Sequence, residues 1–158
     1  MFESIRKLIA EIGDSGRQGE RFDDRDYRLA AAALLVHTAT IDGKFTEAER
    51  AKLHDLVKQR FNLDDAHTDE LIAEATAADQ QSVDLYRFTS RLTRSLDQKG
   101  RARVIEMMWQ IVYTDGIVTE FEDNLIWRVA DLLGVSRDER IALRERVANF
   151  VDGGGAGQ

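Results

Sequence analysis

Apolar residues recur at helical spacing along most of this 158-residue chain. In two segments, 85–96 and 104–112, the apolar positions follow the 3.6-residue period of an α-helix: Leu85, Phe88, Leu92, Leu96, Val104, Met107, Met108, Ile111 and Val112. No segment alternates apolar and polar residues with the period of two that marks a strand. The chain contains no proline to interrupt helices. The pattern predicts an all-α protein.

Three segments carry the sequence signature of a helix start, a hydroxyl residue followed three positions later by glutamate. These capping boxes are Thr46 to Glu49, Thr119 to Glu122 and Ser136 to Glu139. Together with the periodicity they predict helices at 2–12, 24–41, 46–60, 65–78, 82–96, 101–114, 119–133 and 136–150. Loops this short favour antiparallel neighbours, hence a compact bundle of about seven to eight helices.

We predict three regions along the chain. Residues 1–23 form an N-terminal helix followed by a flexible linker, and residues 24–150 form the helical domain. Residues 151–158 are expected to be a disordered tail, because its glycines bury nothing and lose much entropy on ordering.

The chain repeats itself at an offset of 73 residues. Asp42-Gly43-Lys-Phe-Thr46-Glu47-Ala-Glu49 aligns with Asp115-Gly116-Ile-Val-Thr119-Glu120-Phe-Glu122, and the flanking apolar positions agree as well. We interpret residues 24–80 and 97–150 as two helical repeats related by a pseudo-twofold axis. In each repeat, glycine at the turn is expected to close one helix in the left-handed conformation.

Asp42 and Asp115 are unusual because a carboxylate at a helix C-terminus faces the negative end of the helix dipole. One explanation is a local clasp, in which each aspartate accepts N–H bonds from the turn. The other is a hard oxygen site for a divalent cation such as calcium or magnesium. The candidate metal ligands are Asp42, Glu47, Glu49, Asp115, Glu120 and Glu122. If metal binds, the second turn is favoured, because Ile117 replaces a lysine that would repel a cation.

These paired Asp-Gly blocks, each preceded by an apolar helix, resemble the TerB-like tellurite-resistance family, which includes the N-terminal region of DjlA-type co-chaperones. The resemblance covers roughly residues 24–150. It implies pseudo-symmetric helical halves, acidic turns suspected of metal binding, and a role in stress or tellurite response without an established catalytic reaction. The residues of this chain that match the motif, and are therefore the candidates for metal binding, are Asp42, Glu49, Asp115 and Glu122. No J domain is expected, because its His-Pro-Asp signature needs the proline that this chain lacks.

A second candidate surface is basic. Residues 84–103 contain six basic and two acidic residues, whereas the whole chain has a formal charge of −7. Arg87, Arg91 and Arg94 fall on one helical face, opposite the apolar one. That face is either a solvated surface paired with neighbouring acids or a docking strip for an acidic protein partner. In the second case the protein would be a metal-independent interaction scaffold, which is the alternative function. Membrane association is expected to be peripheral at most, and the net charge disfavours nucleic acid.

Signatures of catalysis are missing, so we do not expect an enzyme. The chain has no cysteine, which excludes thiol nucleophiles, and His37, His54 and His67 belong to no known catalytic motif. Direct action on tellurite is disfavoured, because an oxyanion would require a cationic site or a reducing thiol. The aromatic residues of the second repeat are expected in the core: Trp109, Tyr113, Phe121 and Trp127. The longest uncharged apolar run, 29–41, is too short to cross a bilayer, and we expect a cytoplasmic protein.

Overall fold

A computed structural model describes residues 26–82, 84–114 and 117–155 of the chain, with side chains as far as Phe150. These residues form seven helices and no strand, which confirms the all-α prediction. The helices are α1 (Tyr27–Thr40), α2 (Glu47–Phe61), α3 (Asp65–Gln81), α4 (Tyr86–Ser95), α5 (Gln98–Val112), α6 (Glu120–Leu133) and α7 (Arg137–Gly155). The helix expected at 2–12, the linker expected at 13–23 and the last three residues of the chain lie outside the described residues.

Helix α1 is the centre of the bundle. Every residue from Leu29 to Val36 is buried, so the helix has no solvent-facing side over two turns. It packs against α2, α3, α4, α5 and α6. The second central helix is α5, which packs on α1 and buries the large side chains of Met107, Met108 and Trp109. The remaining helices cover these two.

The two segments that align in sequence have matching local structure. Helices α2 and α6 both start with a complete capping box and both end at a residue in the left-handed region, Asn62 at φ 55° and Gly134 at φ 76°. The residue after each end donates to a carbonyl five positions back, Leu63 to Lys58 at 3.0 Å and Val135 to Ala130 at 2.9 Å. Both helices are thus closed in the same way at both ends.

The helix contacts also occur in matching pairs. If α1, α2 and α3 correspond to α5, α6 and α7, then α1–α2, α1–α3 and α2–α3 have the counterparts α5–α6, α5–α7 and α6–α7, and all six contacts are present. The contact of α2 with α5 likewise has its counterpart in the contact of α6 with α1. The pairing agrees with two repeats, and the rotation that would relate them stays a prediction.

Several helix boundaries differ from the prediction, two of them for identifiable reasons. Helix α4 starts at Tyr86 rather than at 82, because the Asp84 carboxylate accepts a hydrogen bond from the Tyr86 N–H at 2.9 Å and holds the preceding residues in a bend. Helix α5 starts earlier than predicted, because Asp97 caps it by accepting from the Gly100 N–H at 2.9 Å. Helix α7 continues to Gly155, five residues past its predicted end.

Candidate functional site

The first Asp-Gly turn is held together by its own backbone. Gly43 takes the left-handed conformation, at φ 83°, and its N–H donates to the Thr40 carbonyl at 3.0 Å, which closes α1 as predicted. The Asp42 carboxylate accepts a hydrogen bond from the Lys44 N–H at 2.9 Å. An aspartate that bonds the backbone two residues ahead forms an Asx turn, which stabilises the corner locally.

Glu49 is a buried carboxylate, only 1% exposed, at the start of α2. It accepts a hydrogen bond from the Thr46 N–H at 2.9 Å, and its own N–H donates to the Thr46 hydroxyl at 3.0 Å. These reciprocal bonds satisfy two donors that the helix cannot satisfy internally. At this turn the hydrogen bonds of Glu49 favour the clasp over the cation site.

The described part of the second turn has the same arrangement. Glu122 is 2% exposed, accepts from the Thr119 N–H at 2.9 Å and donates its N–H to the Thr119 hydroxyl at 3.1 Å. Glu120 is exposed at the helix start, as Glu47 is at the first turn, and Ile117 is 67% exposed. Asp115 and Gly116, the predicted ligand and the predicted left-handed residue, lie outside the described residues.

No group of three or more histidine, aspartate or glutamate side chains is arranged to hold a metal ion within residues 26–82, 84–114 and 117–150. The carboxylates of Asp42 and Glu49 are turned to backbone N–H groups. Because the second turn includes Asp115, the cation site there stays a prediction.

The arginine face, defined as Arg87, Arg91 and Arg94 of α4, lies opposite a buried apolar side, as predicted. Leu85, Phe88 and Leu92 are buried, and α4 packs against α1 and α6. Arg87 and Arg94 are exposed, whereas Arg91 is half-buried, with its Nε covered. Across the described chain, no carboxylate lies within ion-pair distance of Arg91 or Arg94. The neighbouring Arg101 has a structural role, since it donates to the Thr93 carbonyl at 3.0 Å at the end of α4.

Two of the four aromatic residues expected in the core are outside it. Trp109 is buried and Tyr113 is half-buried, but Phe121 is 67% and Trp127 is 53% exposed. The prediction was wrong for these two because they fall beside the buried stripe of α6, which consists of Glu122, Leu125, Ile126, Val129, Ala130 and Leu133.

The histidines lie next to acidic side chains. His37 Nδ1 lies 2.8 Å from the Asp79 carboxylate and joins α1 to α3, and His67 Nδ1 lies 2.8 Å from the carboxylate of Asp64. Asp64 also caps α3 by accepting from the His67 N–H at 2.8 Å. That backbone bond, and then the ring bond, keep the pKa of Asp64 below its ordinary value of 3.8.

Arg144 of α7 was not singled out by the sequence analysis, although it holds three helices together. Its Nε donates to the Tyr113 hydroxyl at 2.9 Å, and its guanidinium pairs with Asp123 at 3.1 Å. The same guanidinium lies 5.0 Å from the centre of the Trp109 ring. Sequence spacing gave no signal for it, because its partners are 21 to 35 positions away along the chain.

Comparison with known proteins identifies the family. A family model described as tellurite resistance protein TerB matches residues 28–145. No curated protein and no solved structure matched the chain significantly. Among the described residues, no helix has both the length and the apolar character needed to cross a bilayer. The matched range runs from the second residue of α1 through α6 into α7 and contains both capping boxes, and the chain therefore belongs to the TerB family of tellurite resistance proteins.

Proposed function

We propose that this protein is a non-catalytic interaction module of a tellurite-resistance or related stress-response system, and that its arginine face binds an acidic protein partner in the cytoplasm. The observation that carries the proposal is on α4, where Arg91 and Arg94 have no carboxylate partner among the described residues and belong to a helix that is anchored by its opposite side.

Helix α4 is suited to present charges at fixed positions. Its buried side, Leu85, Phe88 and Leu92, is fixed against the central helix α1, so the helix has little freedom to move. The carbonyls at its end are held by Arg101. Because α4 is already ordered, little of the binding free energy would be spent on ordering it when a partner binds.

The charges of Arg91 and Arg94 are not neutralised within the described chain, which argues against a simple paired surface. A guanidinium presents planar pairs of donors that match carboxylates, so an acidic protein surface is the natural partner. The chain as a whole has a charge of −7 and would repel nucleic acid and anionic membranes at long range. A protein partner can contact the arginine face through a local acidic patch and need not carry a large negative net charge.

The cation hypothesis is the alternative at the second turn. Its support is the exposed carboxylate of Glu120 beside Ile117, with Asp115 close in sequence. Its weakness is that the Glu122 carboxylate already accepts from the Thr119 N–H, and that at the first turn Asp42 and Glu49 both bond backbone. We therefore favour the interaction role, and a metal titration tests the cation site.

The proposal is tested by affinity capture with matched variants. The Arg87→Glu/Arg94→Glu double variant reverses two exposed charges of the arginine face, and the Lys44→Glu/Arg128→Glu variant makes the same change of net charge at exposed positions elsewhere. We expect acidic proteins captured by the wild type to be lost with the first variant and kept with the second, with capture weakening as salt rises. Equal capture by both variants would contradict the proposal.

A further inference from the structure

A groove runs along the outer side of α5. It consists of two adjoining cavities of about 670 and 510 Å³, both lined by Glu106 and Arg146. The floor is a stripe of α5 at helical spacing, Lys99, Arg103, Glu106, Gln110 and Tyr113. One wall is α7, and the other is α2, through Lys52 and Arg60.

The apolar part of this groove lies mainly along α7. Leu143 and Val147 line it and are themselves buried in the core, whereas Phe150 stands 73% exposed at one end. A phenylalanine exposed to this degree beside buried apolar neighbours offers an apolar surface that a second helix would cover.

The corresponding position in the other half of the bundle is covered on its α6 side. With α1, α2 and α3 matched to α5, α6 and α7, the counterpart of a groove on α5 between α2 and α7 is a position on α1 between α6 and α3. Helix α4 packs on α1 and α6, and its buried apolar residues are Phe88 and Leu92, with Leu85 buried at its N-cap. The half of the molecule around α1 therefore has a covering helix that the described half around α5 lacks.

Chain order identifies the missing counterpart. Helix α4 directly precedes α5, which is the first helix of the second repeat. The segment that precedes α1, the first helix of the first repeat, is residues 1–25. Its beginning, 2–12, has the same kind of amphipathic pattern as α4, with apolar residues at Phe2, Ile5, Leu8, Ile9 and Ile12.

The dimensions of this segment suit the groove. As a helix, residues 2–12 would be about 16 Å long, and the α5 stripe from Lys99 to Tyr113 measures about 21 Å, both at 1.5 Å per residue. The described chain starts beside the groove, because Tyr27 packs on Phe61 at 6.0 Å between ring centres, and Phe61 follows the lining residue Arg60. The thirteen residues 13–25 reach at most about 45 Å when extended, which covers the full groove.

We propose that residues 2–12 bind as an amphipathic helix in the groove on α5 between α2 and α7, as the counterpart of α4 in the first repeat. The repeat unit of this protein is then four helices rather than three. Residues 13–25 form a long connection to α1, whereas the connection between α4 and α5 is short. In this proposal the long connection constrains the N-terminal helix less than the short one constrains α4.

The test uses paramagnetic broadening of backbone amide signals in the full-length protein. The chain has no cysteine, so Lys7→Cys provides a single attachment site for a spin label on the polar side of the predicted helix. We expect strong broadening of the amides of Ala102, Glu106 and Arg146 around the groove, and none at Ala78 of α3.

Two adjacent substitutions serve as a matched pair in the labelled protein. Ile9→Asp places a charge on the apolar side of the predicted helix, and Ala10→Asp places the same charge on its polar side. We expect the groove broadening to be lost with Ile9→Asp and retained with Ala10→Asp, with unchanged amide shifts in α1 and α3 showing that the domain stays folded. The proposal would be overturned if no broadening occurred, if it lay elsewhere on the domain, or if both substitutions affected it equally. It would also be overturned if, in a mixed sample, the label on one chain broadened the signals of unlabelled chains.

Discussion

Thr46 and Glu49 bond each other reciprocally at the start of α2, with the Glu49 carboxylate 2.9 Å from the Thr46 nitrogen and the Thr46 hydroxyl 3.0 Å from the Glu49 nitrogen. Thr119 and Glu122 repeat this pair at the start of α6, at 2.9 and 3.1 Å. Both glutamates are buried, so their position in the fold is set by capping. Part of the acidic character of the turns therefore comes from glutamates that cap the starts of α2 and α6.

The capping hydroxyl is expected to contribute measurably to stability. Thr46→Ala removes the acceptor for the Glu49 N–H and should lower the free energy of unfolding by about 1 kcal/mol, whereas Thr46→Ser keeps the oxygen and should lower it much less. Urea denaturation of the two variants measures the difference. A serine variant as unstable as the alanine variant would show that the methyl group matters rather than the cap.

The cap of α3 gives a pH dependence with a definite sign. Hydrogen bonds from His67 keep the pKa of Asp64 below 3.8, so the ionised carboxylate stabilises the fold above that pH and the stabilisation is lost as the pH falls through the lowered pKa. The Asp64 side chain is 65% exposed, and solvent screening keeps its contribution below about 1 kcal/mol.

The comparison variant for this effect is Asp64→Asn, which keeps a capping oxygen without the charge. We expect the stability difference between wild type and variant to be constant from neutral pH down to about pH 5 and to shrink below about pH 4. Denaturation curves across this range measure it. A difference that grows on acidification would contradict the assigned hydrogen bonds.

Metal addition separates the two explanations of the Asp-Gly turns. If the carboxylates act as caps and clasps, millimolar calcium, magnesium or manganese added to chelator-treated protein should leave Tm within about 1 °C. A bound cation at a hundred times its Kd would add about 2.7 kcal/mol of stability, which corresponds to a rise of several degrees in a domain of this size. A saturable rise abolished by Asp115→Asn, but not by Asp42→Asn, would instead establish a cation site at the second turn.

The sequence was sufficient for features set by local chemistry. The capping boxes at Thr46 and Thr119 and the left-handed Gly43 were predicted from short patterns, because each depends on residues within one turn of helix. The amphipathic face of α4 was also predicted, since its buried residues follow the helical period.

Features set by packing between distant segments were not predictable. The sequence did not show that Phe121 and Trp127 are exposed, because exposure depends on which side of α6 meets α1 and α4. It likewise gave no sign that Arg144 joins Tyr113 and Asp123, which are distant along the chain. The sequence left open whether the carboxylates of the first turn bind a cation or the backbone, and the structure shows that Asp42 and Glu49 accept from backbone N–H groups.

The central claim is that the arginine face of α4 recognises acidic protein surface, and a defined probe measures it most directly. In a fluorescence anisotropy titration with a labelled oligoglutamate peptide, we expect the Arg87→Glu/Arg94→Glu variant to bind at least about tenfold more weakly than wild type, a change of about 1.4 kcal/mol. The Lys44→Glu/Arg128→Glu variant should bind nearly as wild type does. Equal weakening by both variants, or no binding by the wild type at low salt, would contradict the claim.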